Sequence, residues 1–438
     1  MWRQMSESVN AVVASRRDLG TVTSLDRGSR PQVPAPSALE RRVAEAPDGR
    51  LAIFAPGFDQ LSQTFIHDHV RLLAPGRTVL VSLDSVEAET FGCPVLSHLQ
   101  PDFNDWGGPL GGWPSYAYYR LRRRYGPALA FDNRMRLREF LKAQKVTAVL
   151  AEFGPMGVLA GDVCQQLGIP LHVYFHGYDA SYSLRHPTVR RRYRRLFGQA
   201  SSIICASRFL ADRLVALGCP ERLIHVVPCS VDTGRFFPGK PRPGQIVALG
   251  RLVEKKAPHL TIRAFGKIAG RFPQARLDIV GSGPLREVCE RTIAELRLKD
   301  RVTLHGGQPH EVCAGLIRRA AIFAQHSMTD PEGNTEGFPV SIAEAMATGV
   351  PVVSTRHSGI PEGVLEGVTG LLVEEGDVDG MADAFARLLA DPAQAARMGA
   401  AGRAHALRTL DQARLFARLR RIIGLPEPAS QTKTLAAL

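Results

Sequence analysis

In the stretch TEGFPVSIAEAMATGVPVV, residues 335–353, two glutamates, Glu336 and Glu344, stand eight positions apart with Phe338 and Pro339 between them. Glu336 falls in a polar, glycine-rich loop that follows the apolar run AIFAQHS, and Glu344 falls inside a small-residue helix that opens at Val340. The first turn of such a helix offers amide N–H groups with no intrahelical partner, together with the positive end of the helix dipole. An anion can rest there. Carboxylates accept paired hydroxyl hydrogen bonds well, so a sugar at Glu336 and a ribose at Glu344, on either side of that anion, fit the pattern. Capping or plain solvation accounts for either glutamate alone. Their joint spacing about a Phe-Pro pair is harder to reach by accident.

Other segments carry compatible chemistry. In LGRLVEKKAPH, residues 249–259, a strand ends at Gly250, and Arg251 and Lys256 follow on the loop before a helix that Pro258 helps to start. A planar guanidinium fork and a point-charge ammonium can converge on one polyanion, for which a diphosphate is the natural candidate; surface charges flanking a turn are the plainer alternative. In DIVGSGPL, Gly281 and Gly283 lie between a strand and a helix, where they either let a phosphate approach the backbone or simply make a tight turn. In YFHGYDAS, an apolar strand ends on His176, with Gly177 and Asp179 behind it. A histidine there can donate to a sugar hydroxyl or move a proton, or it can merely close the strand.

The elements that must position these residues alternate between short apolar runs and helical stretches. In the first half, RLAIFA, TVLVSL, VTAVLAEF, LHVYFHG and SSIICAS read as strands, separated by helices near 59–74, 156–167 and from 187. In the second half, QIVALGR, ARLDIVG, VTLHGG, AIFAQHS, PVVSTR and GLLVEE are strands with helices between them. This alternation implies an α/β chain of two doubly wound parallel sheets, Rossmann-like, facing across a cleft. The expected divisions are a loosely ordered extension at 1–48, a first domain at 49–227, a linker at 228–244 and a second domain at 245–410. A C-terminal helix and tail at 411–438 can cross back to the first domain. Ligands in such sheets sit beyond the carboxyl ends of the strands, where the candidate residues fall.

Composition bounds the rest. The 438 residues exceed what one core usually serves, and 45% hydrophobic with 22% charged residues is ordinary for a globular chain. No apolar run reaches membrane-spanning length, and the N-terminal stretch lacks the apolar core of a secretory signal, so a cytoplasmic protein is expected. Seven dispersed cysteines suggest reduced thiols rather than a disulfide or zinc framework. The net charge of +13 is concentrated at Arg120, Arg122, Arg123 and Arg124, and at Arg190, Arg191, Arg192, Arg194 and Arg195. Such clusters suit anionic lipid or a phosphorylated ligand, or act as solvated faces; no nucleic-acid recognition module accompanies them.

Taken together, GRLVEKK, VGSGP, EGFPVSIAEAMATGVPVVST, FHGYD, CASRFLADRL and VVPCSVDTGRFFP resemble the motifs of retaining glycosyltransferases of family 4 (GT4), with the GT-B fold. LSQTFI, residues 61–66, is similar to a loop of exopolysaccharide and colanic-acid-type members, with Gln63 where they usually carry Glu, and PCSVD departs from the usual hinge motif. The resemblance implies that Arg251 and Lys256, with Gly281 and Gly283, bind the donor diphosphate. It puts the transferred sugar at Glu336, the ribose at Glu344, phosphate or sugar against the backbone of Phe338, Pro339 and Val340, and His176 beside the reacting sugar. Gln63 and Asp179 then belong to the acceptor side. The partners so implied are a nucleoside diphosphate-sugar and a saccharide or lipid-linked saccharide, with the arginine clusters on an anionic membrane surface. No cofactor is expected. The one Asp-x-Asp spacing, Asp377 and Asp379, reads as a helix cap, which implies metal-independent transfer. A nucleotide-sugar epimerase and a catalytically silent scaffold of the same fold are the alternatives. A dehydrogenase is not, for want of a G-x-G-x-x-G turn after the first strand of either half.

Overall fold

The computed structural model describes residues 49–58, 64–86, 91–99, 129 and 131–426. The N-terminal extension, Gln63, the 120–124 arginine cluster and the end of the C-terminal tail lie outside the described residues.

Apolar runs such as LAIFA and VTAVLAE are buried on both faces and therefore pair in parallel, with helices covering each side. In the first sheet the strands are β1 (Arg50–Ala55), β2 (Thr78–Ser82), β3 (Val95–Leu96), β4 (Val146–Glu152), β5 (Leu171–Phe175), β6 (Ser202–Cys205) and β7 (Ile224–Val226). Their order is β3-β2-β1-β4-β5-β6-β7. The second sheet comprises β8 (Gln245–Leu249), β9 (Arg276–Val280), β10 (Val302–Leu304), β11 (Ile322–Gln325), β12 (Val352–Thr355) and β13 (Gly370–Val373), in the order β10-β9-β8-β11-β12-β13. The chain thus adopts the two parallel, Rossmann-like sheets expected of it. Strand order reverses between β1 and β4 and between β8 and β11, the crevices where open α/β sheets take their ligands.

Between the sheets the linker and the returning chain run side by side: Val231 N donates to Leu410 O at 2.9 Å, and Gln412 N donates to Val231 O at 3.1 Å. The helix Gln412–Ile423 then buries Leu415, Phe416, Leu419 and Ile423 in the first domain's core. Each such side chain contributes roughly 1.5–3 kcal/mol, so this return fastens the C-terminal end of the chain to the first domain.

The domains also touch at the mouth of the cleft. Glu362 accepts hydrogen bonds from Arg208 N at 2.7 Å and Phe209 N at 2.9 Å, capping a helix of the opposite domain. Thr335 N donates to Ser181 Oγ at 3.1 Å. Gly337 permits the approach, because a Cβ there would stand 2.2 Å from the carbonyl oxygen of His176. The seven cysteines are unbridged and six of them are buried.

Candidate active site at the cleft

The second domain supplies a cationic wall. Immediately after β8 come Gly250 and Arg251, and a short turn at Glu254–Lys256 aims two lysines at one carboxylate. Lys255 Nζ lies 3.4 Å and Lys256 Nζ 3.5 Å from Glu336 Oε1. Burial alone would raise the Glu336 carboxyl; Lys255 and Lys256, with His357 when it is protonated at low pH and Arg251, outweigh it and hold Glu336 at about 2. Lys256 is itself pulled down by burial, against the opposing charge of Glu336. Arg251 is exposed, with no hydrogen-bond or ion-pair partner among the described residues, so its fork is open to a ligand. Arg251, Lys256 and Glu336 therefore come together, and Lys255, which the sequence reading left out, joins them.

Gly281 and Gly283 have a structural reason that needs no ligand. Their φ values are +141° and +153°, and a Cβ would stand 2.0 Å from Gly250 O or 2.4 Å from Leu252 O. They let the loop after β9 close onto the loop that carries Arg251.

The loop 328–339 delivers Glu336. Lys255 Nζ donates to Thr335 O at 3.2 Å, and Met328 N donates to Lys255 O at 3.0 Å. Three buried oxygens of this loop, Asn334 Oδ1, Thr335 Oγ1 and Glu336 Oε1, have no hydrogen-bond partner. Buried polar atoms are nearly always paired; Glu336 Oε1 has the charges of Lys255 and Lys256 beside it, whereas the Asn334 and Thr335 oxygens are left available to a ligand. Phe338 is buried in the core beneath the loop, Pro339 precedes the helix Val340–Ala347, and Val340 packs against the first domain. Their side chains are spent on packing. The amides of the helix's first turn remain the groups that can meet an anion. Glu344 lies deeper in that helix, where Oε1 accepts from His310 Nε2 at 2.7 Å and, through that bond, raises the histidine's pKa.

The first domain presents a different wall, and two expectations change there. Glu152, fully buried at the end of β4, holds His69 Nδ1 at 2.6 Å and His176 Nε2 at 2.8 Å. Burial pushes its carboxyl up, but the charges and hydrogen bonds of the two histidines prevail and hold it at about 2. His176 sits at the cleft, yet its ring lies between Tyr174 and Phe65, with centroids 4.3 and 4.4 Å away. Nε2 is bound to Glu152, and Nδ1 faces Cys229 Sγ at 3.8 Å. The expected catalytic ring is therefore turned into its own domain, because the buried Glu152 needs its hydrogen bond. Asp179, expected on the acceptor side, is instead consumed by backbone: Oδ1 accepts from His176 N and Gly177 N, both at 3.0 Å, and Oδ2 from Gly154 N at 2.9 Å. A buried carboxylate with three amide donors has little left for a sugar. Of the Asp-x-Asp pair, Asp377 caps the helix Val378–Ala390 through Gly380 N at 2.8 Å, while Asp379 pairs with Lys267 at 2.7 Å.

The sequence reading missed Lys255, Glu152, His69, His310, His357 and Glu375. One signal could have found several of them: a charged or imidazole side chain immediately after an apolar parallel strand, as in VLAEFG, VVSTRH and LLVEEG. Chain ends of that kind face the crevice. On the helix Pro187–Phe197, Val189, Tyr193, Leu196 and Phe197 are buried, while Arg190, Arg194 and Arg195 are exposed. Arg195 pairs with Asp162 at 2.7 Å. Among the described residues no helix is long and apolar enough to cross a membrane.

Comparison with known proteins follows the same division. The model of Glycosyltransferase Family 4 matches residues 97–235, and that of Glycosyl transferases group 1 matches residues 232–405. The chain is 36% identical over 246 residues to WcaL of Escherichia coli K12, whose name assigns it to colanic acid biosynthesis as a glycosyltransferase. That alignment covers 54% of this chain and 60% of WcaL. It is also 36% identical over 245 residues to a GDP-mannose-dependent alpha-(1-6)-phosphatidylinositol monomannoside mannosyltransferase of Mycolicibacterium smegmatis, covering 53% of this chain and 64% of that one. The chain thus spans less than two thirds of the length of these relatives. Among solved structures, Anabaena Alr3699/HepE in complex with UDP and glucose superposes with a TM-score of 0.67 at 19% identity, over 86% of this chain and 99% of that one. That likeness fixes the fold as GT-B.

Proposed function

We propose that this chain, which belongs to the family 4 glycosyltransferases, moves a sugar from a nucleoside diphosphate-sugar to a saccharide or lipid-linked saccharide acceptor, with retention and without a metal. The observation that carries the reading is the convergence of Lys255 and Lys256 on the buried Glu336, beside the exposed fork of Arg251. Cleavage of the sugar–phosphate bond leaves negative charge on the diphosphate. Arg251, the two lysines and the first turn of the helix Val340–Ala347 stabilise that charge, and Glu336 with the unpaired oxygens of Asn334 and Thr335 receives the sugar hydroxyls. Glu344, with His310, takes the ribose. Retention then follows from attack by the acceptor on the face the diphosphate leaves.

A panel of nucleoside diphosphates in a thermal-shift assay, followed by hydrolysis of the matching sugar donors, tests the reading. Stabilisation by UDP or GDP and release of free sugar support it; no nucleotide response and no turnover overturn it. Relatives support both bases, since one is named GDP-mannose-dependent and a fold neighbour was solved with UDP. Activity abolished by EDTA and restored by magnesium would refute metal-independent transfer. The exposed arginines of the helix Pro187–Phe197 suit the anionic face of a membrane that carries the acceptor. Salt-sensitive sedimentation with anionic vesicles is expected; sedimentation that ignores salt would rule out an electrostatic attachment.

A further inference from the structure

A second feature of the Glu336 loop lies on its far side. Glu336 N donates to His357 Nε2 at 3.0 Å, and His357 Nδ1 lies 2.5 Å from Glu375 Oε1. An Nε2 that accepts from a backbone N–H carries no proton, so the ring is neutral, protonated at Nδ1, and donates to Glu375. The other oxygen of that carboxylate, Glu375 Oε2, accepts from Thr329 N at 2.8 Å. One carboxylate–imidazole relay thus holds both the start of the loop and the amide of the residue that faces the lysines. The next residue adds to the strap: Ser358 Oγ donates to Glu336 O, from a backbone held at φ +52°, and Gly359 N donates to Gly337 O at 3.1 Å.

We propose that His357, oriented by Glu375, is a positioning residue that keeps Glu336 aimed at Lys255 and Lys256 only while its imidazole is neutral. A proton added at Nε2 would set one N–H donor against another, and the buried Glu336 amide would lose its acceptor. The loop would have to move, and with it the carboxylate that receives the sugar. Arg251 stands on a separate segment and would stay in place, leaving a cation for the diphosphate. The inference rests on the reading of the cleft as a sugar-donor site.

Burial lowers the His357 pKa, while the hydrogen bond and charge of Glu375 and the charge of Glu336 raise it and Lys255 lowers it; the net direction is downward. His326, which packs nearby, is held at about 4 by burial and titrates separately. Glu336, at about 2, is ionised throughout the range in which His357 changes charge. The neutral imidazole is therefore the working form near neutrality, and activity is lost as pH falls below about 6.5 through the lowered value.

The test uses the full chain, with UDP and GDP binding by calorimetry and donor hydrolysis from about pH 5 to about pH 9. His357→Gln keeps an acceptor for the Glu336 amide and cannot titrate; it is expected to retain turnover within about tenfold at alkaline pH and to lose the acid limb of kcat/KM. His357→Ala is expected to lose about 100-fold in kcat/KM while nucleoside diphosphate affinity changes by less than about threefold. Glu375→Gln removes the charge that supports imidazolium and is expected to move the acid limb to lower pH. An acid limb in His357→Gln identical to the wild type, or unaltered kcat/KM in His357→Ala, would overturn the inference. If the alanine variant does not fold, the glutamine variants still decide it. A wild-type chain that binds neither nucleotide would instead sink the functional reading. In that case the nitrogen spectrum of labelled histidines still tests this geometry, since imidazolium or an Nε2–H tautomer at His357 near pH 7 would overturn it.

Discussion

Glu152 and Glu336 are both buried carboxylates beside the same cleft, both held at about 2, and the thiol of Cys229, raised chiefly by burial, is raised further by the charges of both. What holds them differs. Glu152 divides its two oxygens between His69 and His176, and its neighbour Asp179 is filled by three backbone amides. Glu336 faces two lysines at 3.4 and 3.5 Å, the neighbouring Asn334 and Thr335 oxygens have no hydrogen-bond partner among the described residues, and Arg251 is exposed beside them. Buried polar groups that satisfy one another maintain a shape, whereas buried groups left unsatisfied are costly until something fills them. The first wall is built to stay as it is. The second leaves polar groups uncompensated, as the proposed donor site requires.

That contrast predicts different failures for the same substitution. Glu336→Gln should lower kcat/KM for donor hydrolysis by about 100-fold or more, on the order of 3 kcal/mol of transition-state stabilisation. Loss of affinity alone, with kcat intact, would show that Glu336 only holds the ground state. Glu152→Gln should act first on stability, since it breaks a buried network and removes the charge that balances His69 and His176. A loss of about 3 kcal/mol in denaturant unfolding is expected. A Glu152→Gln chain as stable as the wild type, but inactive, would move Glu152 into the chemistry and erase the distinction.

Two smaller effects sharpen the comparison. Arg251→Ala should weaken nucleoside diphosphate binding by about tenfold with little change in stability, because the exposed guanidinium makes no hydrogen bond or ion pair among the described residues. Acid should also reveal the first wall. The folded value of Glu152 lies below its ordinary one, so its contribution is present above about 4.5 and is lost as pH falls towards 2. Unfolding measured across that window should show a shallower acid loss in Glu152→Gln than in the wild type. Smallest of all, Asp377→Ala should cost about 1 kcal/mol through the lost helix cap and leave transfer unaffected. A collapse of activity would return the Asp-x-Asp pair to metal chemistry.

Much of this molecule was legible in its sequence, and the reason is local. Strands buried on both faces must be apolar along their whole length, so LAIFA, VTAVLAE and IFAQ announced a parallel sheet wherever they fell. Glycines and prolines marked where those strands ended. Arg251, Lys256 and Glu336 stood out as candidates because each falls at a strand end or ahead of a helix, although no one of them is decisive alone, and it is their joint placement that the fold brings together. Tertiary structure alone decided the rest. Whether His176 faces a ligand or Glu152, whether Asp179 is free or filled, and whether Glu336 is strapped by His357 depend on which atoms arrive from segments far away in the chain. A side chain's type fixes what it can bond to; only the packed fold fixes whether that partner is a ligand or the protein itself.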